Sequence, residues 1–97
     1  GLFRRAVQAA PQSAAYRNNL GWALYLAGDL EGAGRELNET LRLDPRRAIA
    51  YANLGEVHAA RGDTASAIAG YERFLELNND ARRERIAREK LRRLRGG

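Results

Sequence analysis

Residues 14–47 read AAYRNNLGWALYLAGDLEGAGRELNETLRLDPRR, and residues 48–81 read AIAYANLGEVHAARGDTASAIAGYERFLELNNDA. Aligned at an offset of 34, the two segments share nine residues: Ala14/Ala48, Asn19/Asn53, Leu20/Leu54, Gly21/Gly55, Gly28/Gly62, Asp29/Asp63, Ala33/Ala67, Leu41/Leu75 and Leu43/Leu77. The matches are small residues, leucines and one Gly-Asp pair, the types that a packed pair of helices and its turn require. A period of this length marks a stacked repeat in which each unit is one supersecondary element.

Each unit divides around its Gly-Asp pair. Gly28 and Gly62 are suited to a positive φ that ends a first helix. Asp29 and Asp63 then open a second helix as turn or N-cap residues. In the first unit Leu20, Leu24 and Ala27 share one helical face, and Leu30, Ala33, Leu37 and Leu41 share one in the partner helix. Gly21 and Ala33 have almost no side chain, which lets the two axes approach closely. Asp44-Pro45 stops the second helix, because proline cannot continue it and disfavours helix in the residue before it.

The pattern L-G…G-D…A…L-x-L-x-P resembles the tetratricopeptide repeat. Leu54-Gly55, Gly62-Asp63, Ala67 and Tyr71 carry it in the second unit, with Tyr51 at the family's first aromatic position. Arg17 departs from that aromatic in the first unit, His58 from a later tyrosine, and Asn79 from the closing proline. The resemblance implies an all-α fold, a right-handed superhelical stack of antiparallel helix hairpins. Pro11 lies 34 residues before Pro45, and Leu2, Phe3, Ala6, Val7 and Ala10 precede it at helical spacing. The expected organisation is one domain over residues 1–97. Residues 1–13 are the second helix of a partial repeat, 14–47 and 48–81 are full repeats, and 82–95 form a capping helix opened by Asp80. Ile86, Ala87, Leu91 and Leu94 are its expected packed side, since terminal repeats need one polar face.

The chain has 97 residues, 44% of them hydrophobic and 30% charged, which allows one globular domain with a thin core. It has no cysteine and no apolar run long enough to span a membrane, so disulfide frameworks, thiol catalysis and a membrane span are not expected. The N-terminal GLFRRAVQAAPQ lacks the layout of a secretory signal. A cytoplasmic location is therefore expected over export. The net charge of +5 is uneven: residues 1–81 hold nine basic and ten acidic side chains, and residues 82–97 hold eight and two. All the basic residues except Lys90 are arginine, a skew that a high-GC bacterial genome produces as readily as function does.

In stacks of this family the first helix of each hairpin lines the concave side. Its outward stripes here are Ala15, Asn18, Asn19, Trp22, Tyr25 and Leu26, then Ile49, Ala52, Asn53, Glu56, Ala59 and Ala60, each at i, i+3, i+4, i+7 spacing. The expected function is a protein-interaction scaffold gripping a partner protein or peptide, with Asn18, Asn19, Trp22, Tyr25, Asn53 and Glu56 as the binding residues. Trp and Tyr dominate interfaces, and Asn can both donate to and accept from an extended backbone. One branch of the family holds the C-terminal carboxylate of chaperone peptides with lysine, arginine and asparagine. Asn53 and Arg83 match two of those places, but Asn18, Trp22 and Ala87 stand where the lysine, the other asparagine and the arginine belong, so that mode is not expected.

Two alternatives stand beside the groove. Arg82, Arg83, Arg85, Arg88, Lys90, Arg92, Arg93 and Arg95 present phosphate-binding chemistry for nucleic acid or anionic lipid, although no aromatic residue is interleaved for base stacking. The plainer account of that helix is a solvated cap with cations near its C-terminal end. Leu2, Phe3 and Val7 form an apolar strip suited to a homodimer or to docking within a larger protein. No enzyme, cofactor or metal is expected. One histidine, His58, reads as a core substitute and cannot build the usual zinc sites alone. The acids Asp29, Asp63, Glu31, Glu36 and Glu39 fall at turns or on exposed faces, and Ser13 and Ser66 read as turn or cap residues.

Overall fold

Gly28-Asp29 and Gly62-Asp63 each make a complete turn between two helices, and the hydrogen bonds show how. Gly28 has φ 90° and Gly62 has φ 82°, the left-handed region where a side chain would be strained. The Gly28 amide donates to the Tyr25 carbonyl at 3.0 Å, and the Asp29 amide to that of Leu24 at 2.9 Å. Gly62 to Ala59 (3.0 Å) and Asp63 to His58 (2.9 Å) repeat the pair. This is the Schellman ending, which satisfies carbonyls left over at the helix C-terminus. The same aspartates then cap the next helix: the Gly32 amide donates to Asp29 Oδ1 at 2.9 Å and the Ser66 amide to Asp63 Oδ1 at 3.1 Å.

The computed structural model describes residues 13–96. The expected half repeat, with its Leu2, Phe3 and Val7 strip, lies outside the described residues. Those residues form five helices and no strand: α1 (Ala14–Leu26), α2 (Leu30–Leu43), α3 (Ala48–Ala60), α4 (Thr64–Leu77) and α5 (Ala81–Leu94). Ser13 caps α1, accepting from the Tyr16 amide, and Asp80 caps α5, accepting from the Arg82 and Arg83 amides. The α2 helix ends at Leu43 with Asp44 as C-cap, directly before Pro45. Ser66 is not itself a cap; it sits in the first turn of α4, where its backbone amide donates to Asp63.

The chain divides into two compact units, residues 1–47 and 48–97. In the first, α1 packs on α2. Leu20, Gly21, Ala33, Leu37 and Thr40 are buried between them, and the Thr40 hydroxyl donates back to the Glu36 carbonyl at 2.8 Å. A Cβ at Gly21 would lie 2.8 Å from Leu37 Cγ, which accounts for the glycine. Ala27, expected on the packed face, is instead exposed as the C-cap of α1. Its place in the turn takes it off the helix before it reaches α2.

In the second unit α3 packs on α4 and α4 on α5. Leu54, Val57, Ala67, Tyr71 and Phe74 are buried, and Ala87 and Leu91 of α5 close over Tyr71 and Phe74. A Cβ at Gly55 would meet the Tyr71 ring at 2.7 Å, and one at Gly70 would meet the Tyr51 carbonyl oxygen at 2.9 Å. The α3 and α4 backbones therefore touch where Gly70 lies. At the corresponding places of the first unit stand Arg17 and Glu36, whose Nη1 and Oε1 are 2.8 Å apart in a half-buried ion pair. Glu36 is thus not a free surface acid, as the sequence suggested, but one half of a bridge between α1 and α2. Ile86 is also a correction: it is 50% exposed, because the face of α5 turned to α4 runs through Ala87, Leu91 and Leu94.

Candidate interaction surfaces

The outward residues of α1 form a short apolar ledge. Trp22 and Tyr25 stack with ring centroids 4.8 Å apart and planes 22° from parallel. Helix spacing i, i+3 places the two rings side by side, and the offset stack keeps each in one orientation. Both rings are half-exposed, and Leu26, one residue on, is 68% exposed. The α1 helix carries one charged side chain, Arg17, and Glu36 holds it. The ledge is therefore aromatic, aliphatic and without unpaired charge.

The asparagines differ from one another. Asn19 is exposed, whereas Asn18 and Asn53 each retain only 8% exposure. Asn18 and Asn53 thus lie deeper than outward stripes imply, while Asn19 keeps its amide in solvent. Glu56 of α3 is half-buried and forms an ion pair with Lys90 of α5. Lys90 also lies over the Tyr71 ring, 5.9 Å from its centroid. Burial, followed by the charge of Arg93, holds the Lys90 amine below its usual range. Glu56 and Lys90 are 34 residues apart, one repeat period, so they hold equivalent positions on α3 and α5 and meet where α5 folds back on its unit. His58 is half-buried, in keeping with a core substitute. Among the described residues no group of acids, histidines or cysteines is arranged to hold a metal. No described helix is long and apolar enough to cross a membrane.

The arginine-rich helix α5 is more balanced than its composition suggests. Arg88 pairs with Glu84 at 3.3 Å, Arg93 with Glu89 at 3.0 Å and Arg92 with Glu89 at 3.7 Å. Arg95 reaches Glu72 of α4, and Lys90 reaches Glu56. Arg82, Arg83 and Arg85 are exposed, and their guanidinium groups have no acidic partner among the described residues. The unpaired charge is thus confined to the first turns of the helix, with Ile86 exposed beside it.

Helical hairpins joined by Gly-Asp turns, with small residues where the helices cross, define an α-helical repeat protein. The family model for the tetratricopeptide repeat matches residues 1–45 and 33–83, and the chain belongs to that family. It is 47% identical over 49 residues to the transcriptional regulator HilA of Salmonella typhimurium, covering 50% of this chain and 9% of that protein. It is 35% identical over 78 residues to the Hsp70-Hsp90 organizing protein of Triticum aestivum, covering 80% of this chain and 13% of that one. The chain therefore spans only a small part of the curated relatives it matches. Among solved structures, the first TPR of Spaghetti (RPAP3) bound to HSP90 peptide SRMEEVD superposes with a TM-score of 0.86 at 23% identity, covering 97% of this chain and 72% of that chain. At that identity the likeness concerns the fold alone.

Proposed function

We propose that this chain is a protein-interaction scaffold that takes a segment of a partner protein on the first helices of its repeats, with Asn18, Asn19, Trp22, Tyr25, Asn53 and Glu56 as the contact residues. The observation that carries the proposal is the stacked Trp22–Tyr25 pair beside the exposed Leu26. Such a pair gives a rigid apolar platform at low cost in side-chain entropy, and it sits on the helix that repeat stacks direct toward their concave side. The HSP90 peptide bound by the RPAP3 repeat of the same fold, and the likeness to an Hsp70-Hsp90 organizing protein, are consistent with this use of the fold.

The mode of grip proposed is apolar anchoring, not capture of a terminal carboxylate. Ala87, at the place of a clamp arginine, is buried against Tyr71 and Phe74 and has no donor to offer. Trp22 and Asn18 likewise replace charged or amide donors. The one-domain organisation with a capping helix remains part of the same proposal, because an amphipathic α5 closes the second unit in the manner a repeat array requires.

The test uses Trp22, the only tryptophan, as its own reporter. A bound partner segment should shift Trp22 emission, and the double variant Trp22→Ala, Tyr25→Ala should lose partner capture while keeping its helical circular dichroism. Capture that survives in the folded double variant would remove the ledge from the binding site.

A further inference from the structure

We infer that the first turns of α5, in the second unit, form a second interaction surface, which takes a short acidic segment of a partner protein carrying one apolar side chain. Three arginines, Arg82, Arg83 and Arg85, stand exposed, and their guanidinium groups have no acidic partner among the described residues. They lie at the N-terminal end of the helix, where the backbone dipole disfavours cations. The other five cations of the helix are held by Glu84, Glu89, Glu72 and Glu56. Charge that the fold leaves uncompensated at an unfavourable place is available to compensate an incoming anion.

Two features select a peptide over a polyanion. Ile86 follows Arg82 by four residues and Arg83 by three, so its half-exposed side chain lies among the guanidinium groups. An aliphatic group within the patch offers nothing to a phosphate chain but gives an apolar side chain a place to bury. The patch is also short. Arg82 to Ile86 spans about 6 Å of helix axis, enough for two or three carboxylates. Beyond it Glu89, paired with Arg93, would repel a continuous run of phosphates. Arginine forks take carboxylates bidentately, which gives the patch specificity as well as charge.

The experiment measures fluorescence anisotropy at low salt, using the whole chain and a short fluorescein-labelled peptide, amide-capped, with several glutamates flanking one leucine. The glutamine version of that peptide, an oligothymidylate and phosphatidylserine vesicles are the comparison probes. The acidic peptide should bind, and its glutamine version should not. The combined variant Arg82→Gln, Arg83→Gln, Arg85→Gln should weaken binding by about tenfold or more, and Ile86→Ala by severalfold. Arg88→Gln, whose guanidinium is already engaged by Glu84, should stay within about twofold. The Trp22→Ala, Tyr25→Ala variant should bind the peptide normally, and its failure there would place the peptide on the ledge and overturn the inference. So would absence of peptide binding at low salt, or an equal loss from Arg88→Gln. Oligothymidylate or vesicles bound as tightly as the peptide, with no effect of Ile86→Ala, would instead make the surface a polyanion site.

Discussion

Gly70 and Gly34 are both helical glycines, yet they face opposite physical situations. At Gly70 an added methyl would lie 2.9 Å from the Tyr51 carbonyl oxygen, a backbone atom that cannot rotate away. At Gly34 the same methyl meets nothing within 4 Å. Gly70→Ala should therefore destabilise the chain by about 1–3 kcal/mol through overpacking. Gly34→Ala should stabilise it by about 0.5–1 kcal/mol, because alanine loses less backbone freedom in a helix. Urea denaturation should show the two midpoints moving in opposite directions. Asp63 carries a pH signature at the same scale. The Ser66 hydroxyl, and then its backbone amide, hold the Asp63 carboxyl below the usual aspartate value of 3.8. A depressed carboxylate contributes stability above its unfolded pKa and loses it as pH falls through its folded value. Asp63→Asn keeps a capping oxygen without the titration. Its stability deficit should shrink once the pH drops below about 3.8 and vanish below the folded value. A deficit that stayed constant down to the lowest pH would rule out the linkage.

Pairs of helices solve one packing problem in two ways. Where α3 crosses α4, Tyr51 and Gly70 let the backbones touch; where α1 crosses α2, Arg17 and Glu36 bridge the helices by an ion pair. The two solutions are not interchangeable side by side. Arg17→Tyr alone leaves Glu36 without this cation, and Glu36→Gly alone removes the acid that Arg17 bridges to on α2, so a double-mutant cycle should give a coupling of about 0.5–3 kcal/mol. Helix α5 offers a second contrast within one element. Leu91 is buried over Tyr71 and Phe74, whereas Ile86 is half in water. Leu91→Ala should cost about 2–4 kcal/mol by leaving a cavity, and Ile86→Ala about 0.5 kcal/mol or less. Thermal denaturation of the two variants separates the residue that holds the helix down from the one proposed to meet a partner.

At the scale of the whole molecule, charge is distributed unevenly, and the two proposed surfaces should respond to salt differently. The α1 ledge has no unpaired charge, so partner binding there should change by about twofold or less as salt rises to several times the physiological level. The Arg82–Ile86 surface is built on exposed cations, and its affinity should fall severalfold over the same range. One titration series, read by Trp22 emission for the ledge and by peptide anisotropy for α5, checks both.

The repeat period, the Gly-Asp turns, the caps and the leucine faces were all legible in the chain itself, because each depends on residues close in sequence. Gly28 needs its left-handed φ and Asp29 its cap whatever else the molecule does, and the same holds for Gly62 and Asp63. Family membership follows from the same local pattern. What only the tertiary structure decided is which polar groups remain available. Glu56 read as a groove carboxylate and Lys90 as part of a basic face, yet they pair; Glu36 read as a surface acid, yet it bridges to Arg17; Ile86 read as packed, yet it is half-exposed. The physical reason is distance along the chain. A turn or a cap is set by neighbours a few residues away, but the compensation of a charge is set by whichever helix folds against it. The 34-residue repeat was sufficient for the fold, and the unpaired arginines of α5 emerged only once every other cation on that helix had found its acid.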